Sequence, residues 1–323
     1  MRRFGLFLIG LTLTGSALAL ELPGPVVNAE WLAQHSRDVQ IVDVRSETKS
    51  FASQPVYETD AKTGHKVMVA AGGHIPGALL VDFQTIRVDR KIGDLVVKFM
   101  NPEKADFERL MQTAGVVANK PIVLMSMSEN ASDVDQATRL YWQFKYYGEK
   151  NLAVLDGGLA GWLKEGRAVS NAAISPAKGN WVSTGENKNL LADSEDVARA
   201  VKDERTQLVD ARDLPQFYGL VKRADVKAYG HIPGARAFPL DVQVRTEGGV
   251  AKFLSPAAYK AIYEQSGVRT AGPTITYCNT GHLGSGAWFV MSEILRIPQV
   301  RLYDGSMIEW ALENRPTVSI QEH

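Results

Sequence analysis

Cysteine is nearly missing from this chain: 323 residues hold one, Cys278. A single thiol excludes an internal disulfide framework and any cysteine-rich metal cluster, and it leaves that side chain as buried filler or as a reagent. Net charge is missing too, because 36 Lys plus Arg offset 36 Asp plus Glu. That balance removes the broad electrostatic case for a nucleic-acid binder and leaves room only for a local basic pocket. No apolar run beyond the N-terminal segment approaches the roughly 20 residues needed to cross a bilayer. What is present is the composition of a globular protein, 45% hydrophobic and 22% charged. Such a chain can bury a core, and at roughly 150 residues per domain its length predicts two of them.

Residues 1–19 read as a secretory signal peptide. Arg2 and Arg3 form a short positive region, Phe4 to Leu13 an apolar stretch, and Ala17-Leu18-Ala19 a small-x-small cleavage site before Leu20. The apolar stretch is too short for a membrane anchor. The motif around the arginine pair fits the ordinary secretory route better than the twin-arginine route. The mature protein is therefore expected in a periplasm or outside the cell, free of the membrane, where thiols tend to be oxidised.

The chain repeats itself. Ile41-Val42-Asp43-Val44-Arg45 reappears as Leu208-Val209-Asp210-Ala211-Arg212, and the Gly-His-Ile-Pro-Gly-Ala string at 73–78 returns unchanged at 230–235. Pro121 to Met125 answers Pro273 to Tyr277, and Asp156-Gly157-Gly158 with Trp162 answers Asp304-Gly305-Ser306 with Trp310. The order is kept while the spacing between copies shrinks, so the halves are one fold with longer loops in the first copy. Two copies of this size are a duplicated domain and not a solenoid.

Each half alternates strand and helix. Gln40–Val44, Ile122–Met125, Ala153–Leu155, Gln207–Asp210, Thr274–Tyr277 and Val300–Leu302 are apolar runs without polar alternation, as expected of strands covered on both faces of a parallel sheet. Asn101-Pro102 and Ser255-Pro256 read as helix N-caps followed by proline, and Ser194 as the cap of Glu195–Lys202. A further helical run is expected from about Ala287 to Leu295. The predicted fold is α/β: two domains, each a doubly wound parallel sheet flanked by helices. The first spans 20–170, a linker with Pro176, Gly179 and Gly185 covers 171–190, and the second spans 191–323.

In such sheets, ligands sit at the carboxyl ends of the strands, and there stands the one cysteine. Cys278 follows Thr274–Tyr277 and precedes Asn279-Thr280-Gly281-His282-Leu283, a glycine-bearing loop that enters a helix. Free backbone N–H groups in such a loop attract negative charge. Thiols so placed fall from a pKa of about 8.5 into roughly the 3.5–7.5 range, and the nucleophile is ionised without a neighbouring base. A small residue filling a tight turn is the bland alternative.

These pieces, in order and in duplicate, resemble the tandem-domain rhodanese family of thiosulfate and 3-mercaptopyruvate sulfurtransferases. They are Val209-Asp210-Ala211-Arg212, both Gly-His-Ile-Pro-Gly-Ala strings, Cys278 with Gly281, and Tyr303-Asp304-Gly305-Ser306 with Trp310. The resemblance implies a two-domain sulfurtransferase in which Cys278 takes sulfane sulfur from a small anionic donor, becomes a persulfide and hands the sulfur to a thiophilic acceptor. It also implies that the backbone of Asn279, Thr280, Gly281, His282 and Leu283 cradles that sulfur, and it calls for no metal and no cofactor. The loop carries no permanent cation, and Thr280 stands where mercaptopyruvate-type members have serine, so the donor stays open. Ser126 falls opposite Cys278 in the first copy, and Met127-Ser128-Glu129-Asn130 lacks the glycine, so that copy is expected to be inert.

Arg212 is a candidate handle for the donor's negative end, or else a bridge to the sheet's own carboxylates. Arg223 and Lys222 are further candidates; His74 and His231 are assigned loop-fixing duties, and for His74 the resemblance to mercaptopyruvate-type members implies the alternative of facing the site across the domain interface. A Cys-dependent phosphatase would carry arginine where Gly284 stands, and a thiol protease would need a base aimed at the thiol. The remaining rival is a non-catalytic persulfide carrier serving a protein partner.

Overall fold

The computed structural model describes residues 20–320; the expected leader, residues 1–19, lies outside the described residues. In the first half the chain forms β1 (Val26–Val27), β2 (Gln40–Arg45), β3 (Val56–Thr59), β4 (Lys66–Ala70), β5 (Leu79–Asp82), β6 (Val88–Ile92), β7 (Leu95–Met100), β8 (Ile122–Met125) and β9 (Leu152–Leu155). The second half adds β10 (Leu191–Ala192), β11 (Gln207–Asp210), β12 (Arg236–Ala237), β13 (Val244–Glu247), β14 (Val250–Phe253), β15 (Thr274–Tyr277) and β16 (Val300–Tyr303). Each half builds one parallel sheet, in the order β1-β9-β8-β2-β5 and again β10-β16-β15-β11-β12. β3–β4, β6–β7 and β13–β14 are antiparallel hairpins outside the sheets.

The lack of polar alternation has its expected cause. Val42, Val44, Ile122, Leu124 and Val154 point into one apolar cluster, while Ile41, Val123, Met125, Ala153 and Leu155 point into another on the opposite face. The first of these clusters continues into the second half through Val209, Trp288 and Leu302, so a single core spans both halves.

The helices are α1 (Ala29–His35), α2 (Lys104–Thr113), α3 (Ala131–Tyr146), α4 (Gly158–Lys164), α5 (Ser194–Asp203), α6 (Leu214–Tyr218), α7 (Pro256–Ser266), α8 (His282–Phe289) and α9 (Ser306–Leu312). Ser255 caps α7 as expected, accepting from the Ala258 N–H at 3.2 Å. Three expectations need correction. Glu103, not Asn101, precedes α2: the Asn101 side-chain oxygen accepts from Gln143 Nε2 at 2.9 Å, while its N–H donates across the halves to Asp304 at 2.7 Å. Asp193 caps α5 through a reciprocal box with Asp196, and Ser194 instead donates to Glu313 at 2.9 Å. The last large helix starts at His282 and continues as a π turn over Val290–Ile294, since Gly281 in left-handed backbone (φ 72°) permits an abrupt entry.

The halves are joined by exchange as well as by α3 packing on α8. β6–β7 of the first half sends Val97 and Met100 into the second half's core beside Tyr303, Met307 and Trp310. In return the Phe253 N–H of the β13–β14 hairpin donates to Asp156 at 2.9 Å. Between α3 and α8, Thr138 and Ser285 hydroxyls pair at 3.3 Å, and Lys145 meets Glu293 at 2.6 Å.

Asp135 lies in this seam, fully buried, and burial pushes its carboxyl well above the ordinary value. Its Oδ2 and the Oε1 of Gln243 both lack partners, and a Cβ on Gly286 would collide with both side chains. A proton held on Asp135 gives the buried carboxyl a neutral form and a donor to offer, with the unpartnered Gln243 Oε1 beside the same Gly286. The unfolded chain releases that proton above about pH 4, so stability falls as pH rises beyond it until the folded carboxyl ionises. Asp135→Asn keeps a neutral donor and needs no proton. Its thermal midpoint is expected about 2–4 °C above wild type at pH 8, as for about 1 kcal/mol in a chain of this kind, with the gap closing towards pH 4. A lower midpoint than wild type at pH 8 would mean that Asp135 is ionised and paired.

Candidate active site

Cys278 leaves the end of β15 and is 1% exposed. Its loop is held from beneath by Ser306, whose Oγ accepts from the N–H of Cys278 (3.1 Å) and of Gly281 (3.0 Å) and donates to the Tyr303 carbonyl at 2.8 Å. The loop carbonyls are tied as well: Met307 N–H donates to Cys278 and Ile308 N–H to Asn279, both at 3.1 Å. The Thr280 N–H points at the sulfur, with Sγ 3.4 Å away. His282, Leu283 and Gly284 form the first turn of α8, where N–H groups have no carbonyl of their own helix to reach. Asn279 is buried, and its Nδ2 donates to Gln216 of α6 at 2.8 Å. Gly281 has no room for a side chain, since a Cβ would meet Asp304 Oδ1 at 2.7 Å and Arg139 Nη1 at 2.8 Å.

Positive charge reaches the thiol from both halves. Arg87, which precedes β6, lies within Coulombic reach of Cys278, with its guanidinium 4.0 Å from the Phe83 ring and 5.3 Å from Phe99. Arg223 also lies over Phe99, at 5.2 Å, while held by Asp225. Arg139 of α3 meets Asp304 at 2.6 Å and lies 3.5 Å from the Gly281 carbonyl. Burial and the charges of Arg139 and Arg223 push Arg87 down to about 10. Burial first, and then these same arginines, hold His282 down to about 3, so its imidazole is neutral at working pH. That ring contacts Phe83, centroids 4.5 Å apart, and lies 3.2 Å from the Ser132 carbonyl. Guanidinium groups and aromatic rings gathered about a thiol suit a small anion that must be brought to it.

Of the residues expected at the site, Cys278, Asn279, Thr280, Gly281, His282 and Leu283 form one continuous loop, and Arg223 stands at its rim. Arg212 lies within Coulombic reach of Cys278, and in this structure its guanidinium makes the bridge to the sheet's own carboxylate. It is buried against Asp210, with Nε at 3.0 Å and Nη2 at 2.5 Å, and Nη2 also donates to the Gly230 carbonyl at 2.9 Å. Arg45 repeats the bracket in the half that has no thiol, paired with Asp43 and donating to the Gly73 carbonyl at 3.2 Å. A geometry present with and without the thiol belongs to the fold. His74 and His231 are structural in the same paired way, each stacked on a phenylalanine and bonded to its carbonyl. Ser126 bonds to Ser128 at 3.0 Å under the β13–β14 hairpin, where the Ala251 N–H caps the Ser128 carbonyl at 2.8 Å. Sequence reasoning missed Arg87, Arg139, Phe83 and Phe99. All four come from the first half and meet the loop only through the domain exchange; no motif marks them.

The Rhodanese-like domain family matches residues 28–165 and 193–313. The chain is 29% identical over 297 residues to the sulfur carrier protein TtuD of Thermus thermophilus, covering 89% of this chain and 94% of that one. It is 30% identical over 245 residues to a protein of Saccharopolyspora erythraea named as a candidate thiosulfate sulfurtransferase, covering 74% and 82%. Among solved structures it resembles SseA from Escherichia coli, reported as a 3-mercaptopyruvate sulfurtransferase, at 25% identity and a TM-score of 0.69, covering 88% of this chain and 98% of that one.

The duplicated bracket yields a prediction with an internal control. Arg212→Ala and Arg45→Ala each strand a buried aspartate, a loss of about 3–5 kcal/mol. Urea midpoints of the two variants should therefore drop by similar amounts. A midpoint preserved in Arg212→Ala together with impaired donor use would return Arg212 to the binding site.

Proposed function

The chain belongs to the rhodanese-like family and is a sulfurtransferase, and from that premise we propose that Cys278 carries the transferred sulfur and that Arg87 and Arg223 hold its donor. The donor is a small anion of the thiosulfate or 3-mercaptopyruvate kind, the molecules for which the relatives are named. The observation that carries this reading is the convergence of Arg87, Arg139 and Arg223 on the Cys278 loop, which itself holds no charged cation.

Cys278 thiolate attacks the donor's transferable sulfur, and its electron pair forms the new Sγ–S bond. The donor's bond to that sulfur breaks, and those electrons leave with sulfite from thiosulfate or with the pyruvate enolate from 3-mercaptopyruvate, which takes up the proton released by the donor thiol. A thiophilic acceptor such as cyanide or a thiol then attacks the outer sulfur, and the Sγ–S electrons return to the thiolate. The Thr280 N–H and the first-turn N–H groups of α8 stabilise negative charge on thiolate and persulfide alike. A persulfide carrier is the second reading, favoured by the likeness to TtuD; burial of Cys278 favours small-molecule turnover over direct handling by a protein surface.

We also propose that the protein acts in the periplasm, exported by the leader of residues 1–19. The sequence pattern supports this, and a mature N terminus at Leu20 is the expected result of sequencing the exported protein. No helix among the described residues is long and apolar enough to cross a membrane.

Incubation with a sulfur donor should add one sulfur to Cys278, removable by cyanide, and Cys278→Ser should abolish both the adduct and turnover. Full turnover by Cys278→Ser would refute the assignment, and an adduct without turnover on any small acceptor would select the carrier reading. Arg87→Ala should raise KM for anionic donors about tenfold or more, the worth of a charge-assisted hydrogen bond of about 1.5–3 kcal/mol, while a neutral alkylating agent still reacts with the thiol. Ser126→Ala should leave turnover near wild type.

A further inference from the structure

Phe99 stands in backbone that its side chain does not favour. Its φ is 62°, in the left-handed region, although it lies inside β7. A bulky residue there is strained, and such strain persists only where the surroundings hold it. Its origin is a bulge. Val88 pairs with Met100 and Arg90 with Val97, so Asp89 alone faces both Lys98 and Phe99. The extra residue lets Val97 and Met100, three apart in sequence, both enter the second half's core. Core packing thus accounts for the bulge and not for the phenylalanine, because glycine is the residue that a left-handed bulge position favours. The twin hairpin β13–β14 lies over the loop without a thiol, its Ala251 N–H on the Ser128 carbonyl. It pairs regularly from Val244 with Phe253 to Glu247 with Val250, and none of its non-glycine residues has left-handed backbone.

Two guanidinium groups meet the Phe99 ring, Arg87 at 5.3 Å and Arg223 at 5.2 Å from its centroid. They come from opposite halves, and their like charges oppose one another. An aromatic face attracts a cation within about 6 Å of its centroid, so one ring offsets part of that repulsion for both. Each arginine has a further hold of its own: Phe83 at 4.0 Å for Arg87, and Asp225 at 2.8 Å for Arg223. Phe99 is the ring they share across the seam.

We propose that Phe99 is a positioning residue for sulfur transfer: its ring, turned to the seam by the bulge, holds Arg87 and Arg223 beside one another before an anionic donor arrives. The inference rests on the reading that these two arginines bind the donor. Without the ring, Arg223 is left to Asp225 and solvent, and the donor must gather two guanidinium groups that repel one another. That work falls on binding and not on the sulfur step, since the Thr280 N–H and the first turn of α8 are untouched. Strain in the hairpin and order at the arginines are two ends of one device.

The test is steady-state kinetics with thiosulfate and with 3-mercaptopyruvate, on variants shown to be folded by circular dichroism. Phe99→Leu keeps an apolar side chain against the core and loses the ring. It should raise KM about three- to tenfold for whichever donor is turned over and leave kcat within about twofold. Phe99→Tyr keeps the ring and should hold KM within about twofold of wild type. In an Arg223→Ala background the effect of Phe99→Leu on KM should shrink, because one of the two cations is gone. The strain is read separately: Phe99→Gly should melt above Phe99→Ala, although it has less side chain. An unchanged KM in Phe99→Leu with a raised KM in Arg87→Ala would overturn this proposal and leave the donor site standing. Unchanged KM in both would remove the donor-site reading and the proposal together. A raised KM in Phe99→Leu alone would mean that the ring touches the donor itself, and a loss confined to kcat, or a Phe99→Tyr no better than Phe99→Leu, would equally refute a positioning role.

Discussion

The contact between Arg139 and Asp304 is the tie on which the site depends. Arg139 sits in the middle of α3, in the half without a thiol, and Asp304 begins the turn that carries Ser306, the residue that holds the cysteine loop. Asp304 Oδ2 meanwhile accepts the Asn101 N–H at the end of the β6–β7 hairpin. One buried carboxylate thus fixes a helix, a hairpin and the turn beneath Cys278. Burying two charges costs several kcal/mol per ion before their attraction is counted, so the pair is not an obvious source of net stability. Its effect is geometric: with Arg139 and Asp304 in place there is no room beside them for any residue but glycine at 281.

Duplication makes the chain its own control. The Asp–Arg–Gly carbonyl bracket, the His–Phe stacks and the indole bonds of Trp162 and Trp310 recur in both halves, and each holds the same turn in each. Features found on one side only require another cause. Thiol, glycine and the triple-arginine fringe occur in the second half's site, whereas the first half's loop is filled by paired serines and covered by a hairpin.

Much of the fold was legible in the residues. Ile122–Met125, Gln207–Asp210 and Thr274–Tyr277 match their strands to the residue, because a strand buried on both faces leaves an unbroken apolar run. Ser255 was legible as a cap because proline follows it. Asn101-Pro102 carries the same local signal, yet tertiary demand took its side-chain oxygen for Gln143. The start of α8 was placed too late because Gly281, Gly284, Ser285 and Gly286 weaken any helical pattern; burial against α3 and the sheet supplies what propensity lacks. At the site, the cysteine loop was readable as a continuous segment. Arg87 and Arg139 were not, since their relation to Cys278 arises only when the halves exchange hairpins and pack α3 on α8.

That exchange also gives the half without a thiol a part in the site. On the proposed reading a negative sulfur forms at the domain seam, and the loop meets it with backbone N–H groups and no full positive charge of its own. The second half's own cations near the thiol are Arg223, in an exposed loop where solvent and Asp225 screen it, and Arg212, buried within Coulombic reach of Cys278 and neutralised by Asp210. Arg87 and Arg139 come instead from elements anchored in the first half's core, with Arg139 buried and Arg87 braced on two aromatic rings. Preorganised charge of this kind is worth more than mobile charge, because no reorganisation is needed when the sulfur arrives. The first half is then a rigid electrostatic wall of the second half's site, and its own loop is free to close over with Ser126 and Ser128.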